Sequence, residues 1–581
     1  MRTSDHVVRL PADTYRLTQG ELSLGAPGVT IQGDGARTTT IDGQNGTRVL
    51  HVVGGSNQVS GVRITRGRPV AIESDTLGGG VLVDQGATLG LAAVAVVGNS
   101  AAIGGGIASD GTLTLDRSTV AGNHAQDAQF TNTTGGGIYH DASAITTLIN
   151  STISGNVASV TPPSNFSSSG GGIFQLAGTL TLRNVTIARN GAQSGGGLYN
   201  SDGSLSLKNT IIADSVSGGA CGGLNPSSED HSIDDDNTCG LIGVGDKPGV
   251  DPQLAPLAAN SGVTDTHAIL PSSPAFNGGF LCQSTDQRGV ARPQLGVCDI
   301  GAYEYRSPRL TVVKHVVNDH GGTLTAADFN LHVRRTNGTD VGGSPAAGSE
   351  SGRTYLLAPG TYVIREDADS RYSAAIGGSC AANGVVTLAE GQSKTCTITN
   401  DDKKPVAGKD INGAPKRGTV RVKFPGDSSF HQLTDGDQLP NNTIVDTRNG
   451  RITLYVAGKN GKVTNADFYE GLFKLKQSKK GKKTTTLTLI EKLSCKGVGK
   501  AANAARKRKR RRHLWGDGHG SFTTKGRNSA ATVLGTKWLV QDTCTTTLTK
   551  VKRGKVRVRD FIKHKTVIVR KGHRYIARSK P

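Results

Sequence analysis

Two ingredients of an ordinary globular core are scarce in this chain. Among 581 residues there is a single Met, and aromatic residues make up only 4%. A core of bulky rings and flexible thioethers is therefore excluded over most of its length. No stretch of 18 apolar residues occurs, which excludes a membrane-crossing helix. None of the eight cysteines lies in a Cys-x-x-Cys pair, which argues against zinc. The first residues, Met1 to His6, lack the apolar stretch of a secretory signal. Val7 to Leu17 already read as a strand, a turn and a strand. The expectation is that the true start lies upstream, with a signal and the N-terminal cap of the first domain.

Glycine, by contrast, is abundant, with 80 residues, and it is patterned. Triplets begin at Gly78, Gly104, Gly135, Gly170 and Gly195. After each comes one kind of phrase: TLGLAAVAVVGN from Thr88, TLTLDRSTVAGN from Thr112, ITTLINSTISGN from Ile145, TLTLRNVTIARN from Thr179 and SLSLKNTIIADS from Ser204. The phrase starts are 24, 33, 34 and 25 residues apart. Self-similarity at roughly 20–50 residues marks a solenoid, propeller or array. Leu113 and Leu115 alternate with Thr112 and Thr114, a period of two that makes a strand with one face inward. Val120 opens a second short strand after a corner.

Leucine-rich repeats need a helical return, which is missing, and propeller blades need four strands over about 40 residues. A coil of short strands with glycine corners remains, a parallel β-helix with rungs about 4.8 Å apart. Leu89, Leu113, Leu148, Leu180 and Leu205 are expected to stack, each contributing about 1.5–3 kcal/mol. Asn99, Asn123, Asn156 and Asn190 end four phrases. They are expected at left-handed corners and in a hydrogen-bonded ladder; a row of ligands is the alternative.

Charge is unevenly placed. Residues 403–581 hold 43 Lys+Arg against 11 Asp+Glu, a net of +32, and residues 1–402 carry a net of −11. Nucleic acid, anionic cell-wall polymer and a phospholipid surface are all physical partners for so basic a module. The cysteines fall into neighbouring pairs, Cys221/Cys239, Cys282/Cys298, Cys380/Cys396 and Cys495/Cys544. Four local disulfides are expected, and with them an oxidising compartment outside the cytoplasm.

The wording LPADTYRL, VTIQGDG, TTIDG and then GGGI with TLTL resembles bacterial pectate-lyase-like right-handed parallel β-helix proteins. His267 to Pro271, Asp286-Gln287-Arg288-Gly289, Arg292-Pro293 and Cys298 to Glu304 resemble the closing segment of the surface proteins called choice-of-anchor Q. The likeness covers residues 7–305 and implies that Asp286 and Arg288 pair structurally in a C-terminal cap. Some superfamily relatives are polysaccharide lyases or glycosidases. Yet Asp84, Asp116 and Asp214 do not recur at one register of the phrase, and paired carboxylates on one face are what glycoside cleavage needs. The acidic run Asp234, Asp235 and Asp236 has the oxygen ligands that suit Ca²⁺; a solvated loop is the alternative. No cofactor is otherwise expected.

The phrases LTVVKHVV, FNLHVRR, YLLAPGTYVIRED, GVVTLAEG and KTCTITNDD read as strands with turns between, and with them residues 306–402 resemble a prealbumin-like repeat of the collagen-adhesin B type, a stalk module of bacterial surface proteins. Such repeats carry an isopeptide bond between a first-strand Lys and a last-strand Asn or Asp, beside a Glu. The likeness assigns those roles to Lys314, Asn400 and Glu366. The chemistry requires burial, because a desolvated Lys loses its proton and becomes nucleophilic.

Residues 403–417 read as a polar linker. Residues 418–581, with GTKWLV and VKRGKVRVRD, resemble the FecR-like β domain. They contain a basic insertion at 496–520 with the run Arg506, Lys507, Arg508, Lys509, Arg510, Arg511 and Arg512. That run is read as a polyanion-binding element, with nucleic acid bound only nonspecifically.

The expected fold class is all-β: a β-helix with cap over residues 1–305, a small β-sandwich, and a β-rich C-terminal domain. The expected function is a non-enzymatic bacterial protein of the cell surface or extracellular space, for adhesion or glycan binding. A carbohydrate-active enzyme and an envelope sensor built on the FecR-like domain are the alternatives.

Overall fold

The computed structural model describes residues 6–25, 28–69, 77–127, 132–160, 166–458, 460–495 and 511–580. The protein is all-β, with one short 3₁₀ turn at Ala326–Asp328 among the described residues. The N-terminal region is a parallel β-helix. Its three long sheets are parallel throughout and hold nine, ten and eight strands. One rung runs Ile107–Ser109, Thr112–Asp116 and Thr119–Ala121, contributing one strand to each sheet. The phrase from Thr112 lies on the phrase from Thr88 residue for residue, so Leu89 meets Leu113 and Leu91 meets Leu115. These side chains are fully buried in one continuous aliphatic core.

One expected row is corrected. Thr146, not Leu148, stands over Leu113, and Leu148 stands over Leu115. The row beside Leu89 also begins with Asn57. In the phrase ITTLIN the first inward position is Thr146, whose Oγ1 lies 2.9 Å from Nδ1 of the buried His140. Burial holds that imidazole down at about 4, the neutral form.

The asparagine ladder is present, but its corner has another cause. Asn123 Oδ1 accepts from Asn99 N at 2.9 Å and from Asn99 Nδ2 at 3.0 Å. Asn156 and Asn190 repeat the arrangement on the next two rungs. None of the four ladder residues is left-handed. That conformation falls on the residue before the ladder, Gly98, Gly122, Gly155 or Arg189. The triplets answer to the ladder: Gly104 takes φ +65°, and a Cβ on Gly106 would stand 2.9 Å from Asn123 Nδ2. Glycine is needed at the first position for its backbone and at the third for the close approach.

The closing segment also departs from expectation. It lies along the outer face of the second sheet. Gln287 Nε2 donates to Thr119 Oγ1 at 3.0 Å and its Oε1 accepts from Thr152 Oγ1 at 2.7 Å. His267 meets Ser154 and Ala302 N donates to Thr186 Oγ1. Ile269, Ala275, Ile300 and Tyr303 cover Ala188, Ile211 and Ala213. One flank of the coil is thus closed. The outer faces of the other two sheets carry hydroxyls such as Thr112, Thr114, Thr179 and Thr181 on the first sheet and a stacked row of Tyr139, Phe174 and Tyr199 on the third. At the first rung, Val8, Leu10, Leu22 and Ile31 line an open apolar cavity of about 600 Å³.

Residues 309–402 form two four-stranded sheets. One holds Arg353–Leu356, Arg309–Val317, Ser393–Asp402 and Tyr372–Gly378 in that order. Beyond them the expected linker is largely strand, because Asp410–Lys423 pairs along its length with Ile444–Ala457. Most of the C-terminal module is one mainly antiparallel sheet around Phe468, Phe473, Phe522 and Trp538. The fully buried Trp538 donates to Thr524 Oγ1 at 3.1 Å.

Candidate functional site

Lys314 sits in Arg309–Val317, whose neighbour in the sheet is Ser393–Asp402, the strand that carries Asn400. The pattern LTVVK alternates, which turns Leu310, Val312 and Lys314 inward together; all three are buried, Lys314 to 0% exposure. Its stem packs on Gly348, where a Cβ would stand 2.8 Å from Lys314 Cβ and Cγ. Its Nζ lies 2.7 Å from Glu366 Oε2 and 4.4 Å from the centre of the Phe329 ring. Burial pulls the ammonium below the ordinary lysine range, while the Glu366 carboxylate works the other way. Asn400 is 1% exposed and its Oδ1 has no hydrogen-bond partner among the described residues. A buried carbonyl oxygen left unpaired costs about 1–3 kcal/mol. The three residues assigned from sequence are thus an inward Lys and an inward Asn on neighbouring strands, with the Glu bonded to the Lys.

All four disulfides pair in sequence order: Cys221–Cys239, Cys282–Cys298, Cys380–Cys396 and Cys495–Cys544, at separations of 18, 16, 16 and 49 residues. Asp286 and Arg288 pair at 2.8 Å and both are buried. The run Asp234 to Asp236 is not a shared ligand set. Asp234 accepts from Cys239 N and Gly249 N, Asp235 from Asp214 N, and Asp236 from Ala220 N and Thr238 N. These carboxylates brace the backbone around the first disulfide. Residues 506–510 of the basic run lie outside the described residues. Arg511 and Arg512 are already in the strand Arg511–Gly518, where Arg512 Nε donates to the buried Asp542 at 3.0 Å. The end of the run is therefore strand, as is most of 511–520.

Three constellations were not foreseen. Asp319, His320, Asp401 and Asp402 bring ligand atoms within 4.8 Å of one another. The Asp402 carboxylate is taken up there by N–H groups of Asp319, His320 and Gly322, so it holds a loop. His51 stands between Glu21 at 2.9 Å and Asp84 at 3.0 Å, with Arg48 on Glu21. These residues come from three successive rungs, and the degenerate early repeats hid their alignment. The third is a cleft lined by Arg417, Arg448, Arg451 and Tyr469. Nothing in the sequence announced it, because Arg417 and Arg451 meet only through the bulged pairing of their strands.

Residues 306–398 match the family of the prealbumin-like fold domain. Lys314 and Glu366 lie inside the match and Asn400 two residues beyond it. No curated protein matches the chain. The middle of the chain thus carries a prealbumin-like module, consistent with the sandwich of two four-stranded sheets.

Proposed function

We propose that this chain is a modular, non-enzymatic bacterial protein of the cell surface or extracellular space. Its β-helix displays a repetitive binding face for a glycan or another surface. Its prealbumin-like module spaces that face and locks itself through an amide between Lys314 and Asn400. Its basic C-terminal module attaches to an anionic cell-wall polymer or polysaccharide. The single observation that carries the reading is the buried Lys314 bonded to Glu366 in the same sandwich as the unsatisfied Asn400. In the lock, Lys314 passes a proton to Glu366 and its neutral Nζ attacks Cγ of Asn400. The Nζ–Cγ bond forms, Glu366 delivers its proton to Nδ2, the Cγ–Nδ2 bond breaks, ammonia leaves, and Glu366 takes up the second proton that Nζ gives up as it becomes an amide N–H. Such a bond suits a module under load, and four disulfides suit the same compartment. The resemblance of residues 267–304 to choice-of-anchor Q closing segments and of 418–577 to FecR-like domains supports a place outside the cytoplasmic membrane.

The test is the intact mass of the protein, which should fall about 17 Da below the disulfide-corrected sequence mass. Glu366→Ala should restore the full mass. A wild-type mass explained by the disulfides alone removes the lock.

One observation favours the enzyme reading as a second. Glu21 and Asp84 flank His51 on the coil, a set able to move protons. A polysaccharide array read for both binding and cleavage separates the two readings. Cleavage abolished by Asp84→Asn would replace the display function with catalysis.

A further inference from the structure

The C-terminal module holds a built cationic cleft apart from the basic run. The long strands Asp410–Lys423 and Ile444–Ala457 pair across it with Arg417 opposite Arg451 and Gly418 opposite Gly450. The register shifts on both sides of this point, between Pro415 and Arg417 and between Thr419 and Arg421. Bulges of this kind re-aim side chains next to binding sites. A Cβ on Gly450 would stand 2.6 Å from Thr419 O, so glycine there lets the strands close up. Arg417, Arg448 and Arg451 converge on an open cleft of about 440 Å³, with Tyr469 and Glu470 on its wall.

Like charges directly opposite on neighbouring strands are unfavourable, and the three arginines are not compensated alike. Arg448 is held from behind, its Nε 2.9 Å and its Nη2 2.5 Å from Asp446. Arg451 pairs with Asp467 at 2.6 Å and stacks on Tyr469, its guanidinium 4.9 Å from the ring centre. Tyr469 stacks in turn on Trp515, and Lys552 on Trp515. That cross-strand stack fixes one wall. Arg417 is exposed and has no carboxylate partner among the described residues. Two arginines are thus locked in place and a third presents its donors to the same space. A planar fork of N–H groups matches a two-oxygen anion far better than a point charge does.

We propose that the cleft between Arg417, Arg448 and Arg451 is an oxyanion subsite that takes one phosphate or carboxylate group of an anionic glycopolymer. The assignment rests on the reading of the basic module as a polymer-binding element and names where that polymer is gripped. The basic run supplies attraction at a distance, which falls with salt; the cleft supplies the choice of anion. A glycopolymer is favoured over nucleic acid because the four disulfides belong outside the cytoplasm.

The experiment measures binding of the full chain to poly(glycerol phosphate), polygalacturonate and duplex DNA across a salt series. The proteins are wild type, Arg417→Gln, Arg417→Lys, and a variant with Arg506 to Arg510 replaced by Ser and Gly. Arg417→Gln should weaken one or both glycopolymers about tenfold. Arg417→Lys should recover less than half of that loss on a logarithmic scale, because the charge returns without the fork. Loss confined to poly(glycerol phosphate) identifies phosphate, and loss confined to polygalacturonate identifies carboxylate. The run variant should weaken all three polymers alike and flatten their salt slopes. Fluorescence of the buried Trp538 checks that each variant is folded. Wild-type binding that Arg417→Gln leaves unchanged overturns the cleft while the envelope-attaching reading stands. Wild-type binding to neither glycopolymer overturns that reading itself, and sensitivity to Arg417 on DNA alone overturns the choice of polymer.

Discussion

Asn156 in the β-helix and Asn400 in the prealbumin-like module are both buried, at 0% and 1% exposure, and they are opposites. Asn156 Oδ1 accepts from Asn123 N and Nδ2, and its own Nδ2 donates to Val120 O at 2.9 Å. Asn400 Oδ1 accepts from nothing among the described residues. The same amide is a rivet in one place, and in the other the proposed lock would make it a reagent. Burial is common to both, and the difference between them lies in whether the polar atoms are satisfied.

The largest expected effect breaks the comparison at Asn400. Lys314 and Asn400 are 86 positions apart, and closing a loop of that length covalently is worth about 4–5 kcal/mol on the chain-entropy account. Asn400→Ala should lower the stability of the module by about that amount, read by denaturant unfolding alongside intact mass. A variant as stable as wild type shows that no bond forms there. Next comes the rivet. Asn156→Ala leaves Asn123 N, Asn123 Nδ2 and Val120 O without their partners, and should cost the coil about 3 kcal/mol. A loss under about 1 kcal/mol would mean that the ladder is ornament on the leucine core.

A third case lies between these two. In the closing segment Glu304 accepts from Asp299 N at 2.8 Å and Asp299 accepts from Asn277 N at 2.7 Å. Burial nevertheless pushes their carboxyls up, to about 7 and about 6. Raised carboxyl values favour the folded state at low pH. That stabilisation is complete below the ordinary carboxylate range and is lost as pH rises through 6 to 7. Between pH 5 and pH 8 the segment should therefore lose stability, and Glu304→Gln should flatten the profile of the urea midpoint. The smallest effect concerns Asn57, which fills the place of a leucine beside Leu89 and leaves its Oδ1 unpaired at 0% exposure. With no reaction to serve, that atom is a liability. Asn57→Leu should raise the stability of the coil by about 1 kcal/mol, measured as a shift of the unfolding midpoint.

The coil was legible because its repeat is written in residue types that do one thing each: glycine where φ is positive, leucine inward, asparagine at the corner. Leu148 was misplaced by one inward site, two residues, because ITTLIN puts Thr146 at the first inward site, and a polar residue there breaks the pattern that sets register. The course of residues 267–304 along the second sheet was not legible, since Gln287 reaches back to Thr119 across 168 positions. Lys314, Glu366 and Asn400 came from family likeness; the orphaned oxygen that gives them meaning exists only in three dimensions. The arginine cleft was invisible because Arg417 and Arg451 meet through a bulged pairing that no spacing announces.

The ladder also governs where the coil is free to change. From each triplet to the next ladder residue the chain advances 21, 19, 21 and 20 positions, almost constant. From each ladder residue to the following triplet it advances 5, 12, 14 and 5. From Gly78 to Gly195 the rungs therefore differ in length at one corner and hardly anywhere else. A lineage can lengthen that corner without disturbing pitch or core, and the small extra strands His124–Asp127 and Val157–Val160 already grow there. For an engineer the same corner is a socket, able to accept a foreign peptide on any chosen rung at a known height.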